Sequence, residues 1–166
     1  MFKTMKKLNL TIFVFFLMVI SCKGQPTEID TFSGEVKINN QLIFDEDSKQ
    51  ATINVFGQPD NVTTEYWEMS EETATNYHYN SGAKFQFINN ALERFVITSS
   101  GYYLQMGSFQ LEVGNNINSI QSVFPKSFNF RNSGGTSIAL GAGDYHFVLI
   151  EYDSSNVITR IETRHF

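Results

Sequence analysis

The sequence predicts an α+β domain in which one curved antiparallel sheet carries short helices on one face. Alternation of apolar and polar residues with a period of two, seen in Lys84–Ile88 and Asp144–Glu151, is typical of half-buried strands. Two short segments with helical spacing each close on Val-Phe with a proline close behind. The chain has 166 residues, which is the length of about one domain.

Two helices of two to three turns are expected. Ser48–Phe56 follows the acidic run Asp45–Asp47, which favours the helix dipole, and stops before Gly57, which favours a helix end. Asn116–Phe124 carries isoleucines and a phenylalanine at helical spacing, has an asparagine ahead of it as a cap, and is expected to halt at Pro125. Helices this short are stable only when they pack on a sheet.

The order of helix and strands is repeated along the chain. Asn89-Asn90 are turn formers and predict a hairpin whose second strand contains Leu92–Phe95. This segment, after the first helix, can be laid over Ile158–Ile161 after the second. We therefore expect two tandem units, each a helix plus antiparallel strands, joined edge to edge in one sheet. The domain would span residues 32–166, with units of about 32–99 and 100–166. Chance similarity between alternating strands remains the alternative.

The N-terminal residues 1–21 are typical of a signal peptide. Three lysines precede an apolar run of 13 residues, Leu8–Ile20, within the roughly 7–15 residues of a signal-peptide apolar region. The run is shorter than the roughly 20 residues that span a bilayer. Val19-Ile20-Ser21-Cys22 resembles the lipobox of bacterial lipoproteins, in which the cysteine becomes N-terminal and lipid-modified. Ordinary cleavage, with Cys22 as a spare thiol, is the alternative.

The residues after the lipobox predict a tether and a location. Residues 22–31 are short and polar and would connect the lipidated Cys22 to the domain. The start Cys22-Lys23-Gly24-Gln25 is similar to lipoproteins of the Bacteroidetes type. Lys23 replaces the aspartate associated with inner-membrane retention, and the acidic run associated with surface export is absent. The resemblance implies an outer-membrane anchor that faces the periplasm.

The charge of the chain excludes one class of partner. Removal of residues 1–21 takes away three lysines and no acidic residue, which leaves nine basic and 17 acidic residues, a net charge of −8. A nucleic-acid surface needs clustered lysines and arginines, and no basic run is visible. We expect the lipid, and not a basic surface, to hold the protein at the membrane.

A family resemblance rests on this layout. The helix, the piece Val55-Phe56-Gly57-x-Pro59 and the following strands, twice over behind a lipobox, resemble the beta-lactamase inhibitor protein (BLIP)-like fold, of which the lipoprotein family SmpA/OmlA uses a related half. The resemblance implies a curved sheet whose open face grips a protein. Cys22 is the only cysteine, so the inhibitor's disulfides cannot form and no inhibitory activity is carried over.

No pattern predicts catalysis, a metal or a cofactor. His78 and His146 lie in predicted strands without H-x-H or H-E-x-x-H spacing, and His146 is expected to point away from the inward-facing Phe147. The run Asp45–Asp47 lacks the glycine and closing glutamate of a calcium loop. The glycine-rich segment Arg131–Asp144 lacks the Gly-Lys-Ser/Thr of a phosphate-binding loop, and no Gly-x-Ser-x-Gly elbow occurs. We therefore expect a protein that is not an enzyme.

Aromatic residues supply the candidate binding surface. Adjacent aromatics on a strand point to opposite faces, so at least one residue of Tyr66-Trp67 and of Tyr102-Tyr103 must face away from the core. Tyrosine and tryptophan are enriched at binding hot spots. Arginines at equivalent positions of the two units would share the outer face. The candidate partner-binding residues are Tyr66, Trp67, Tyr79, Arg94, Tyr103, His146 and Arg160. Ordinary cross-strand pairing of aromatics is the alternative.

These expectations describe a lipid-anchored, non-catalytic protein of the cell envelope that binds a protein partner through the open sheet face. One alternative is a carrier for a small lipid or sugar ligand. Another is a structural lipoprotein that maintains the outer membrane. The sequence does not identify the partner.

Overall fold

The structure is a computed structural model that describes residues 29–42, 48–68, 71–132, 134–141 and 146–165. The predicted signal peptide and Cys22 therefore lie outside the described residues, as does the run Asp45–Asp47. The strands are β1 (Thr31–Phe32), β2 (Val36–Ile38), β3 (Gln41–Leu42), β4 (Asn61–Trp67), β5 (Glu72–Tyr79), β6 (Ala83–Ile88), β7 (Ala91–Ile97), β8 (Tyr103–Met106), β9 (Phe109–Glu112), β10 (Gly135–Leu140), β11 (His146–Tyr152) and β12 (Ile158–His165). The α-helices are α1 (Ser48–Phe56) and α2 (Pro125–Asn129), and a 3-10 helix covers Ile117–Ile120.

The strands form two sheets. The larger sheet has eight strands in the order β1-β10-β11-β12-β7-β6-β5-β4, and the smaller has four in the order β3-β2-β8-β9. Within the larger sheet, β4 to β7 and β10 to β12 are two antiparallel meanders, which meet where β7 pairs with β12. Strand β1 runs parallel to β10, so the larger sheet is mixed.

The hydrophobic core draws on both sheets. Phe85, Phe95 and Ile161 of the larger sheet and Leu104 and Leu111 of the smaller one are fully buried members of one cluster. Helix α1 joins this cluster through Phe56, whose ring lies 5.0 Å from that of Phe85. The core therefore occupies one side of the larger sheet, and the opposite side carries the polar members of its strands.

The predicted α+β class with two helix-plus-strand repeats is wrong. The fold is mainly β, with a mixed eight-stranded sheet and a second, smaller sheet instead of one antiparallel sheet. The prediction matched strands by their alternation, which many amphipathic strands share. It also required a second helix like the first, and the chain has none at that place.

A short 3-10 helix and a separate short α-helix take the place of the second predicted helix. Asn116 accepts a hydrogen bond from the Asn118 backbone N–H (2.9 Å), which starts a single 3-10 turn. Pro125 then begins helix α2 instead of ending a helix, because proline has no N–H to satisfy and its fixed φ suits the first helical position. The turn buries Ile117 and Ile120 against the core with less helix than predicted.

The first predicted helix is confirmed at both ends. Helix α1 spans Ser48–Phe56, with Ser48 buried at its start. Gly57 follows it with a φ of +79°, a left-handed conformation that glycine adopts at little cost. Its N–H donates to the Ile53 carbonyl (2.9 Å), which closes the last turn.

The hairpin between β6 and β7 follows its prediction, but the phase of β11 does not. Asn89 turns the chain between β6 and β7 with a φ of 52°. In β11 the sequence suggested Phe147 as an inward residue, yet Val148 and Ile150 are the fully buried ones. The run from Phe147 to Ile150 is apolar at every position, so alternation could not fix its phase. Pairing of Ile150 with Ile161 of β12 fixes it.

Candidate functional site

The face of the larger sheet opposite the core is called the open face here. One row of paired residues crosses it, made of His78, Lys84, Val96, Glu162 and Leu149. These residues share a face because partners in register across neighbouring strands point the same way. The row joins β5, β6 and β7 of the first meander to β12 and β11 of the second.

Glu162 is the centre of a charged cluster on the open face. Its side chain is only 1% exposed, because it lies between Val96 of β7 and Leu149 of β11. The Arg94 guanidinium donates to Oε1 of Glu162, and that of Arg160 donates to Oε2. Nε of Arg164 donates to Oε1 at 2.6 Å. Three guanidinium groups thus surround one buried carboxylate, which fixes their positions.

The ionisation of Glu162 follows from these contacts. Burial would raise the pKa of its carboxyl group, but hydrogen bonds from Arg164 and Arg160 and the charges of Arg94 and Arg160 outweigh it and lower the pKa. The hydrogen bond to Glu162 in turn raises the pKa of Arg164. Glu162 is therefore ionised at neutral pH and balances one of the three positive charges.

A pocket of about 460 Å³ opens beside this cluster. Strands β5, β6, β7 and β12 and the turn between β5 and β6 contribute its lining. Among the residues that the structure describes, the lining contains three cationic side chains and no carboxylate. Its residues are His78, Tyr79, Asn80, Gly82, Ala83, Lys84, Gln86, Arg94, Val96, Thr98 and Arg160.

The tight turn between β5 and β6 shapes one end of the pocket. Gly82 has a φ of +94° and donates its N–H to the Tyr79 carbonyl (2.9 Å). The Gly82 carbonyl accepts the Thr98 N–H (2.8 Å), which ties the turn to the chain after β7. Asp60 accepts the Asn80 N–H through Oδ2 at 2.7 Å. This end of the pocket is therefore held by hydrogen bonds to the turn backbone, two of them from backbone groups and one from the Asp60 side chain.

Side-chain hydrogen bonds order part of the polar lining. Nε2 of His78 lies 3.0 Å from the Thr63 hydroxyl, and Gln86 donates to a carboxylate oxygen of Glu65 at 3.4 Å. The hydroxyl–imidazole pair has no carboxylate on the other ring nitrogen among the described residues, unlike a catalytic triad. The ammonium group of Lys84 has no hydrogen bond or ion pair within the described part of the chain. The pocket can therefore offer positive charge without prior loss of a partner.

The open face gathers much of the basic charge of an acidic protein. The full chain has a net charge of −5. The described ranges hold eight lysines and arginines, and four of them, Lys84, Arg94, Arg160 and Arg164, lie on this face. Among the described residues, the carboxylates that contact these four groups are Glu162 and Glu151, which lies 4.0 Å from Nε of Arg160. The cluster consequently has a net charge of +2.

The structure places three of the seven predicted partner-binding residues on the open face, of which only the two arginines lie together. Arg94 and Arg160 share it, as the sequence predicted, and both line the pocket. Trp67 is half-buried at the end of the edge strand β4, on the same face as Glu65. Tyr66 is 61% exposed on β4 and points to the opposite face.

The other three predicted residues lie elsewhere. Tyr79 is buried in the core, where its hydroxyl donates to the Gly57 carbonyl (3.0 Å) and its ring packs against Phe85. Tyr103 lies on the smaller sheet, where its hydroxyl accepts a hydrogen bond from Asn40 (2.5 Å). His146 begins β11 on the side that carries Val148. Neither Tyr103 nor His146 lines the pocket, whereas Tyr79 borders it beside the two arginines although its ring packs in the core.

Sequence reasoning missed the residue that organises the site. Glu162 was not selected, although Arg160-x-Glu162-x-Arg164 places alternating charges on one face of a strand. Lys84 was also missed, because a lone lysine in a strand is usually a solvated residue. The spacing of charges at i, i+2 and i+4 was the signal that could have identified the cluster.

Metal and membrane signals are absent from the part of the chain that the structure describes. No group of three or more His, Cys, Asp or Glu side chains converges there. No described helix is long and apolar enough to cross a bilayer. Comparisons with protein-family models, curated proteins and solved structures find no match to this chain.

Proposed function

We propose that this chain is a non-catalytic binding protein of the cell envelope, which engages an acidic protein partner with its open face. The observation that carries the proposal is the pocket of about 460 Å³ on that face, whose described lining residues include three cations and no carboxylate. Positive potential in a concave site attracts acidic groups and favours their approach. The rest of the chain is acidic, which would repel the same partner at other surfaces.

The anchor in this proposal is a lipid on Cys22, which lies outside the described residues. A lipidated cysteine at the start of the mature chain would hold the domain at the outer membrane, facing the periplasm. Acyl chains contribute about 0.8 kcal/mol per buried methylene, so multiple acylation would hold the protein firmly. The described domain is packed from Asp30 on, since Oδ2 of Asp30 accepts the Ser127 N–H (2.9 Å). The tether between lipid and domain would therefore be short.

Site-specific photocrosslinking in intact cells tests the protein-partner proposal. A photoreactive residue in place of Trp67 lies on the open face, and the same residue in place of Gln110, which is exposed on the smaller sheet, is the control. We expect a crosslinked protein from position 67 that is lost with Arg160→Glu. Equal crosslinking from both positions, or none from position 67, would contradict the proposal.

A second candidate function is a carrier for a small ligand. The pocket volume of about 460 Å³ falls in the range of roughly 300–1,000 Å³ that small-molecule sites occupy. Its charged lining suits a polar or sugar-like ligand better than a lipid chain. Native mass spectrometry of the purified protein separates the candidates, because a co-purifying small mass supports the carrier.

A further inference from the structure

The two arginines of the pocket are fixed before any ligand arrives. Arg94 and Arg160 bind different oxygens of the same buried carboxylate, Glu162, from two neighbouring strands. Their side chains are still 38% and 32% exposed, so part of each guanidinium faces the pocket. A guanidinium has five N–H donors, and each arginine gives one nitrogen to Glu162 among the described residues. Each guanidinium therefore retains N–H donors for a ligand, and Glu162 already fixes its orientation.

Polar atoms without partners are concentrated at the same place. The described residues contain six buried side-chain nitrogen or oxygen atoms without a hydrogen-bond partner. Four of them belong to neighbouring side chains of the open face: Asn76, Gln86, Arg94 and Arg160. Native proteins satisfy most buried polar groups, so such exceptions point to a bound species or a functional site. The unpartnered atoms of Arg94 and Arg160 are Nε donors, which an acidic ligand would satisfy, whereas those of Asn76 and Gln86 are carbonyl oxygens, which an anion would not satisfy.

We propose that Lys84, Arg94 and Arg160 form a subsite for one acidic group, a carboxylate or a phosphate. This inference rests on the proposed function, since it names the chemistry that the open face recognises. Lys84 supplies a charge with no described partner, and the two arginines supply fixed donors. Glu162 is a positioning residue: it aligns both guanidiniums without contact with the ligand.

The same lining argues against a cation as the occupant. None of the described lining residues is a carboxylate, and both oxygens of the neighbouring Glu162 are already bonded to arginines. A divalent cation prefers several oxygen ligands, with carboxylates prominent among them. Charge-assisted hydrogen bonds to an anion are about twice as strong as neutral ones, so a single acidic group would gain from three donors at once.

Isothermal titration of the purified mature domain with inorganic phosphate, citrate and a short glutamate-rich peptide tests the subsite. The informative variant is Lys84→Gln, because the ammonium group of Lys84 holds no described hydrogen bond and its loss should leave the fold intact. The matched control is Lys37→Gln, which removes the same charge from the smaller sheet, where Lys37 pairs with Glu35 (3.1 Å). Circular dichroism checks that both variants fold.

We expect at least one probe to bind the wild-type protein, with affinity at least about tenfold lower in Lys84→Gln and unchanged in Lys37→Gln. Binding should also weaken with added salt. Tighter binding of the peptide than of phosphate or citrate would assign the acidic group to a protein partner, and the reverse to a small acid. No binding up to about 10 mM, or equal binding by all variants, would overturn the subsite.

The subsite and the proposed function fail in different ways. If position 67 captures a partner in cells but no anion binds, the protein-binding proposal stands and the subsite is wrong. If anions bind through Lys84 but no protein is captured, the subsite stands and the protein-partner proposal is wrong.

Discussion

Glu162→Gln is the most informative single substitution for the stability of this fold. Glutamine keeps nearly the same shape as glutamate but carries no charge, and its amide nitrogen would face guanidinium groups that also only donate. The substitution would remove the counter-charge that Arg94, Arg160 and Arg164 share, at a side chain that is only 1% exposed. The substitution should therefore destabilise the protein without a change in core volume.

The magnitude follows from the three hydrogen bonds. A hydrogen bond to a charged group contributes about 1.5–3 kcal/mol against about 0.5–1.5 for a neutral one, so each bond should lose about 1 kcal/mol. The sum, about 3 kcal/mol, is at the lower end of the range for breaking a buried ion pair. The lower end is appropriate because the arginine side chains are 32–43% exposed and water can solvate them. A matched control is Glu151→Gln on the same face, which should cost less than about 1 kcal/mol because Glu151 is 51% exposed.

Urea unfolding of the wild-type protein and both variants between pH 3 and pH 7 provides the assay. The pKa of Glu162 is lowered in the folded protein, so its ionised form stabilises the fold above the ordinary carboxyl pKa, and this contribution is lost as the pH falls through the lowered pKa. The difference in unfolding free energy between wild type and Glu162→Gln should be about 3 kcal/mol at pH 7 and should shrink at acidic pH. A difference that is absent at pH 7, or constant down to pH 3, would refute the reasoning.

Three further predictions concern other parts of the molecule. Tyr79→Phe removes the hydrogen bond to the Gly57 carbonyl and should lower the unfolding free energy by about 1 kcal/mol. Burial is the main cause that raises the pKa of Tyr79 to about 12, so the stability of the wild-type protein should fall as the pH rises from 10 through about 12. Urea unfolding followed by fluorescence should show a smaller fall in the variant. Gly82→Ala would place a Cβ 2.6 Å from Cβ of Ser99 at a φ of +94°, and thermal unfolding should show a loss of about 2 kcal/mol. Cys22→Ala should abolish incorporation of labelled palmitate and move the protein to the soluble fraction, and retention in the membrane would contradict the proposed anchor.

Local signals predicted local structure well, and long-range pairing decided the rest. Helix α1 follows from residues within a few positions of its ends, such as Gly57, and the β6–β7 turn follows from Asn89-Asn90. By contrast, Pro125 can end one helix or begin another, and only its surroundings decide. Which residues of β11 face the core depends on its register with β12, which pairs Ile150 with Ile161. No short window of sequence contains this pairing.

The candidate site shows the same division. Arg94 and Arg160 were placed on one outer face by comparing two stretches of sequence, and the structure has them there. That they converge on Glu162 depends on the pairing of β7 with β12, across 68 residues of chain for Arg94. Tyr79 was predicted as a binding residue because of its aromatic ring, but it belongs to the core, where its ring packs against Phe56 and Phe85.

The junction of the two meanders has a mechanical consequence. Strand β7 is in register with β12 at two residue pairs in the described structure, against seven between β11 and β12. Two further hydrogen bonds stabilise this short junction: the Phe95 N–H donates to the Thr163 hydroxyl (3.0 Å), and Arg94 donates to Glu162. Amide hydrogens near the β7–β12 junction should exchange faster than those within either meander. A ligand that contacts both meanders would slow this exchange, because it would stabilise the junction.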